Sequence, residues 1–285
     1  VILYYAMGGG LGHLTRARAV LHTLRIRQPV ALLTASPYAQ NRAVTAGMHV
    51  IPVPPELEDD PVAYRVWLHQ RFEHIQPEAI YLDAFPAGIQ GELDPALLPA
   101  GVPIFHLARR LRWARYSDCM QSALPRMATS YVLEPLEAAH RAWLRNHSDL
   151  LLNLSLCDPP PAGLSLDVRE LRKPGRPLWL ICHAGADREI AELLDYAALQ
   201  ARYQRRQPQV LLVAPQRPDW LPAEVAHLDC YPVYPLFALV DAIFSAGGFN
   251  SMRQTAAFAD KHYPLPFPRR FDDQFARVAQ RRGKA

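Results

Sequence analysis

Val1-Ile2-Leu3-Tyr4-Tyr5-Ala6 runs into Gly8-Gly9-Gly10-Leu11-Gly12-His13, an apolar strand followed by a glycine turn and the start of a helical pattern. A second stretch of the same kind lies near the other end: Ala242-Ile243-Phe244-Ser245, then Gly247-Gly248-Phe249-Asn250-Ser251. Glycine lets backbone approach a ligand closely and adopt positive φ. The open N–H groups and dipole of a helix start favour anions such as phosphate. One such turn can be steric in origin, because tight strand–helix connections need glycine anyway. Two of them, a domain apart, predict paired α/β domains facing a cleft.

Outward from these turns, short apolar strands alternate with helical spacing. The first half offers strands at 1–6, 30–34, 50–53, 79–82, 102–106 and 150–154, with helices over 14–25, 61–75 and 136–145. Alternation of this kind reads as a doubly wound parallel sheet. It breaks at Asp158-Pro159-Pro160-Pro161, Gly163 and Lys173-Pro174-Gly175, where proline and glycine resist both helix and sheet. The predicted organisation is therefore a first Rossmann-like domain over 1–155, a linker over 156–176 and a short second domain over 177–285. In the second, strands at 178–182, 210–214, 242–245 and 263–267 alternate with helices over 188–203, from Asn250 and from Asp272.

The 285 residues are 50% hydrophobic, enough for a substantial core, and the formal charge is +4. That mild excess suits an anionic substrate or membrane surface but falls short of a nucleic-acid signature. The four cysteines, Cys119, Cys157, Cys182 and Cys230, lack metal-site spacing and read as buried reduced thiols. No apolar run reaches the roughly 18 residues needed to span a bilayer, and a chain that opens on a strand leads to the expectation of no signal peptide. A cytoplasmic protein, at most peripheral to the inner membrane face, is expected. Arg109-Arg110-Leu111-Arg112-Trp113-Ala114-Arg115 is the densest basic cluster; it reads as a solvated helix face, or as a place for an anionic acceptor or phospholipid.

The first turn fails the dinucleotide fingerprint G-x-G-x-x-G, because His13 holds the last glycine position. Leu33-Thr34-Ala35-Ser36 also lacks the acidic residue that would hold a ribose, so no nicotinamide cofactor is expected. His13 stands at a helix start, where the dipole disfavours imidazolium and suits a neutral general base. Its alternative role is to cap the helix or bond the loop. Asp83, at the end of the strand Ala79-Ile80-Tyr81-Leu82, is the candidate to orient it, or else a turn former. In a parallel sheet all strand C-termini share one edge, which brings the two within reach. Asn250 and Ser251 add side-chain donors to the N–H groups of Gly247 and Gly248. Asp273 and Gln274 pair a carboxylate with a carboxamide, a combination suited to sugar hydroxyls; Asp272 reads as a helix cap.

Gly247-Gly248-Phe249-Asn250-Ser251 followed by Asp273-Gln274-x-x-Arg277 resembles the donor signature of GT-B nucleotide-sugar glycosyltransferases. They are also similar to the bacterial lipid-linked N-acetylglucosaminyltransferase of peptidoglycan synthesis and its predicted relatives. Gly10-x-Gly12-His13-x-x-Arg16-Ala17 resembles that group too, and Tyr81-Leu82-Asp83-Ala84-Phe85 resembles the segment carrying the base-orienting aspartate. The resemblance implies a diphosphate on Gly247, Gly248, Asn250 and Ser251, bordered by Gly185 of His183-Ala184-Gly185. It implies the transferred sugar on Asp273 and Gln274, and a nucleobase beside Tyr234 in 231–235. Gly9, Gly10 and Gly12 become the acceptor-side loop. Two departures stand out: Gln254 replaces a ribose-binding glutamate, and the chain stops soon after Arg277 where helices usually follow. The expectation is a metal-independent hexosyltransferase moving sugar from a nucleotide donor, a UDP-sugar, to an unidentified, lipid-linked or anionic acceptor hydroxyl, with no cofactor. A non-catalytic sugar-nucleotide sensor and a nucleotide-sugar epimerase are the rival readings.

Overall fold

The computed structural model describes residues 1–57, 59–120, 124–161 and 171–283. The chain divides into two compact units, residues 1–159 with 270–272 and residues 160–269 with 273–285. Positions 162–170 of the expected linker lie outside the described residues.

In the first unit the elements run β1 (Ile2–Ala6), α1 (Leu11–Thr23), β2 (Val30–Thr34), α2 (Arg42–Thr45), β3 (His49–Pro52), α3 (Pro61–Ile75), β4 (Ala79–Asp83), β5 (Ile104–Ala108), α4 (Trp113–Ser117), β6 (Met127–Val132), α5 (Ala138–His147) and β7 (Ser148–Asn153). All seven strands pair in parallel, in the order β3-β2-β1-β4-β5-β6-β7. Strands covered on both faces can be almost continuously apolar, as β1 and β2 are with every residue buried; Thr34, which ends β2, donates its hydroxyl to Ala6 O at 2.9 Å. Leu3, Tyr5, Leu33, Ile80 and Leu82 meet Tyr64, Leu68 and Phe72 of α3, which starts at Pro61 behind an Asp60 side-chain cap.

The second unit repeats the plan: β8 (Leu178–Cys182), α6 (Asp187–Tyr203), β9 (Gln209–Val213), β10 (Ala226–Leu228), β11 (Ala242–Ala246), α7 (Phe249–Gln254), β12 (His262–Leu265) and α8 (Gln274–Arg282). Its parallel order is β10-β9-β8-β11-β12. Alternate residues of β8 serve opposite faces, Trp179 and Ile181 packing on Ile190 and Leu193 of α6, Leu178 and Leu180 on Leu236 and Phe237.

The doubly wound reading of both halves therefore holds. Its details shift where local chemistry intervenes. Pro103 has no N–H for the ladder, so β5 starts at Ile104 rather than at residue 102. β6 lay outside the expected strands because Met-Ala-Thr-Ser-Tyr-Val is half polar; Ser130 is buried and bonds Ser148 Oγ at 2.7 Å. The cysteines are unpaired as expected, but Cys157 is exposed and Cys119, Cys182 and Cys230 are only half-buried, a correction to the reading of four buried thiols. No helix among the described residues is long and apolar enough to cross a membrane.

Candidate functional site

In each sheet the winding direction reverses at one point: between β1 and β4 in the first unit, between β8 and β11 in the second. Ligands of open α/β sheets bind outside the strand C-termini at such a switch. His13 and Asp83 follow or end the first pair of strands. Gly185, Gly247 and Gly248 follow the second pair.

The first unit brings its two candidates into contact. His13 Nδ1 and Asp83 Oδ2 are 2.6 Å apart, with Asp83 fully buried and the His13 side chain 12% exposed. The pairing follows from register: Tyr5 lies beside Leu82, so the turn after β1 passes the end of β4. Gly8, which the sequence reading did not single out, makes the arrangement possible. Its φ is +149°, and a Cβ there would sit 2.3 Å from His13 Nε2. A Cβ on Gly9 or Gly10 would meet nothing within 4 Å, so the mouth of the turn is open. Gly10 is the N-cap residue of α1, and Gly12 is exposed in its first turn.

Arg16 is the other residue missed. Its Nε and Nη2 reach Asp83 Oδ1 and Oδ2 at 2.5 and 2.7 Å. The Phe85 ring lies 5.9 Å from the imidazole, and Arg109 lies over that ring. Burial alone would raise the Asp83 carboxyl, but Arg16 and then His13 outweigh it and hold it well below the ordinary range. His13 is lowered, first by burial and further by Arg16 and Arg109, against the opposing pull of Asp83. The result is an ionised carboxylate beside a neutral imidazole. Among the described residues its Nε2 has no hydrogen-bond partner.

The basic cluster is not a solvated helix face. Arg109 is buried and pairs with Asp272 at 2.5 Å, Arg110 bonds Pro135 O, and Leu111 and Trp113 are buried. Asp272, read as a helix cap, instead takes this ion pair; Asp273 caps α8, accepting from Ala276 N at 3.0 Å.

In the second unit the two distant motifs meet. Arg277 Nη1 donates to Gly247 O at 2.9 Å, and a Cβ on Gly247 would lie 2.5 Å from Val278 Cγ2. Gly247 is thus required by the packing of α8. Its N–H is taken by Leu265 O at 3.0 Å, continuing the β11–β12 ladder, which corrects the expectation that it faces a phosphate. Gly248 is the N-cap residue of α7, with open space at its Cβ position, and Asn250 and Ser251 are half-buried in the first turn. Gln254, half-buried, ends that helix, and Tyr234 begins a 3-10 turn. Gln274 is buried, its Oε1 accepting from Phe267 N.

Beside Gly185 lies a cluster the sequence reading did not foresee. His183 Nε2 and Glu189 Oε2 are 2.7 Å apart, and Arg269 reaches both Glu189 oxygens at 2.5 and 2.6 Å. Burial would raise the Glu189 carboxyl, but bonds from His183 and Arg269 bring it down to about 2. Among the described residues no group of three His, Cys, Asp or Glu side chains could hold a metal ion.

No protein-family model and no curated protein sequence matches the chain. Solved structures do. Spinosyn forosaminyltransferase SpnP is similar over 99% of this chain and 83% of its own, with a TM-score of 0.65 at 15% identity. Spinosyn rhamnosyltransferase SpnG, solved with thymidine diphosphate, is similar over 99% and 84%, with a TM-score of 0.59 at 14% identity. UDP-N-acetylglucosamine 2-epimerase from Rickettsia bellii is similar over 90% and 76%, with a TM-score of 0.53 at 12% identity. At such identities the likeness establishes the fold: two parallel-sheet α/β units of the GT-B type.

Proposed function

We propose that this chain is a glycosyltransferase that moves a sugar from a nucleoside-diphosphate donor to an acceptor hydroxyl. The observation that carries the reading is the His13–Asp83 contact at the switch point of the first sheet. With Nδ1 donating to Asp83, His13 Nε2 takes the acceptor's proton as the hydroxyl oxygen attacks the anomeric carbon. The bond from that carbon to the diphosphate oxygen breaks, and the nucleoside diphosphate leaves with the electron pair. Gly248, Asn250 and Ser251 hold the diphosphate, with Gly185 beside it and Tyr234 near the base. Gln254 bonds the ribose. Asp273 offers the sugar its second carboxylate oxygen, since the first caps α8. The thymidine diphosphate seen in SpnG supports a pyrimidine nucleotide, which covers both UDP- and dTDP-sugars.

Incubating the intact protein with UDP- and dTDP-sugars and a panel of hydroxyl acceptors tests this. The expected result is nucleoside diphosphate released only when an acceptor is present. Epimerised donor without release would point to the epimerase reading, and saturable binding without turnover to a sensor.

A further inference from the structure

Arg16 follows His13 by one helical turn on α1, so both side chains leave the same face. Its guanidinium forks onto both oxygens of Asp83, and its side chain is only 3% exposed. Oδ2 is shared, receiving Arg16 Nη2 at 2.7 Å and His13 Nδ1 at 2.6 Å. Arg16 Nη2 also lies 3.1 Å from that Nδ1, but a guanidinium has no acceptor. With two donors converging on one oxygen, the carboxylate is fully engaged and the imidazole is turned by its Nδ1.

We propose that Arg16 is a positioning residue for the transfer: its fork neutralises Asp83, so that the imidazole stays neutral and turns Nε2 to the acceptor. This rests on the reading of His13 as the base. A buried carboxylate left alone beside an imidazole would draw a proton onto it, and an imidazolium cannot accept one. The groups facing His13 are Asp83 from β4, Arg16 from α1, and Arg109 after β5, whose charge Asp272 balances. The remaining wall is the apolar Phe85 ring, while Tyr4 of β1 acts on Asp83 and Arg16. Burial and both arginines favour the neutral ring; only Asp83 opposes them.

The test is NMR of ring-labelled histidine in the whole chain, with the His13 signal assigned by its loss in His13→Gln. At pH 7 the unaltered protein is expected to show a neutral, Nδ1-protonated ring. Arg16→Met is expected to move its titration upward by about one pH unit or more, the usual effect of an uncompensated charge at this range. Arg16→Met with Asp83→Asn is expected to bring it back down. The acid limb of kcat/KM is expected to follow the NMR shift. An imidazolium, or an Nε2-protonated ring, at pH 7 in the unaltered protein overturns the proposal. So does a folded Arg16→Met protein with an unmoved titration. Should that variant not fold, the ring state of the unaltered protein decides alone. None of the NMR readouts needs turnover, so a protein that releases no nucleotide leaves them standing while removing the transferase reading.

Discussion

Each unit places a histidine, a carboxylate and an arginine beyond its first strand, and the two trios are built in opposite ways. In the first, the carboxylate is 70 residues from its histidine and arrives by sheet topology, while the arginine is a neighbour on the same helix. In the second, the carboxylate is only 6 residues on, and the arginine comes from 80 residues away. The first trio uses Nδ1 and leaves Nε2 beside the open glycine turn. The second engages Nε2 itself with Glu189; in both, a Cβ on the adjoining glycine, Gly8 or Gly185, would lie 2.3 Å from that atom. An imidazole held by Nδ1 presents Nε2, its outer nitrogen, as a base; one held by Nε2 keeps only Nδ1, the nitrogen nearest its own backbone. Chemical composition alone does not separate the two. The ring nitrogen that is occupied does.

The largest expected effect separates the trios directly. His13→Ala should lower turnover by about two to four orders of magnitude, the range for loss of a general base. His183→Ala should lower it less than about tenfold, because that ring only braces a turn. Steady-state kinetics at saturating donor measures both. Equal losses would erase the distinction between base and brace.

A second effect tests the glycine turn. Gly8→Ala forces a Cβ into the space of His13 Nε2 at a φ of +149°, so the ring must move. A displacement near 1 Å at a reacting group costs on the order of 10²-fold in rate, and that loss in kcat is the expectation. Gly9→Ala, whose Cβ meets nothing within 4 Å, should leave kcat nearly unchanged. The third effect belongs to the second unit. Glu189→Gln removes a carboxylate whose folded pKa of about 2 lies below its unfolded value. That stabilisation is complete above about pH 4.5 and disappears as pH falls toward 2. The variant should lose ~2 kcal/mol in urea unfolding at pH 7, with kcat little changed. Half-exposed Arg269 keeps the penalty below that of a fully buried orphan charge.

The legibility of these features in the sequence divides along the same line. His13, Asp83 and the glycine turns could be read because each sits at a strand end, and strand ends of a parallel sheet collect at one edge. The Arg277–Gly247 contact was carried by two short motifs that also pointed to each other. Arg16 is silent within its motif, since an arginine on a helix face reads as solvated until the carboxylate opposite it is known. Glu189 was hidden for the same reason: in the first turn of α6 it reads as dipole compensation, and Arg269 is remote in sequence. The Gly247 N–H was misassigned because a strand's last ladder bond and a phosphate-binding N–H look alike in sequence. Charge pairs across long loops and the use of individual N–H groups are tertiary facts. Periodicity reports neither.

The smallest effect at neutral pH sharpens the contrast through buried titration. In the first unit burial holds His106 down to about 4 and His140 down to about 3, and both are fully buried. In the second, His262 is held to about 3. The His140 ring stacks on Trp113 with centroids 4.0 Å apart, and neither nitrogen has a partner among the described residues. Above about pH 6.5 such a histidine is neutral whether folded or unfolded. Below it, the unfolded chain takes a proton that the fold refuses, so stability falls by ~1.4 kcal/mol per pH unit for each such group. For His140 that loss continues until pH nears 3. His140→Phe keeps a stacked ring and deletes two unsatisfied nitrogens, for an expected gain of ~1 kcal/mol at pH 7.5. Its advantage should widen by ~2 kcal/mol between pH 6.5 and pH 5, as one proton's worth of slope is lost. Urea titrations at those pH values measure it. A gain that does not widen would mean that His140 already carries its proton in the fold, and the first unit would then bury one neutral histidine fewer than its geometry requires.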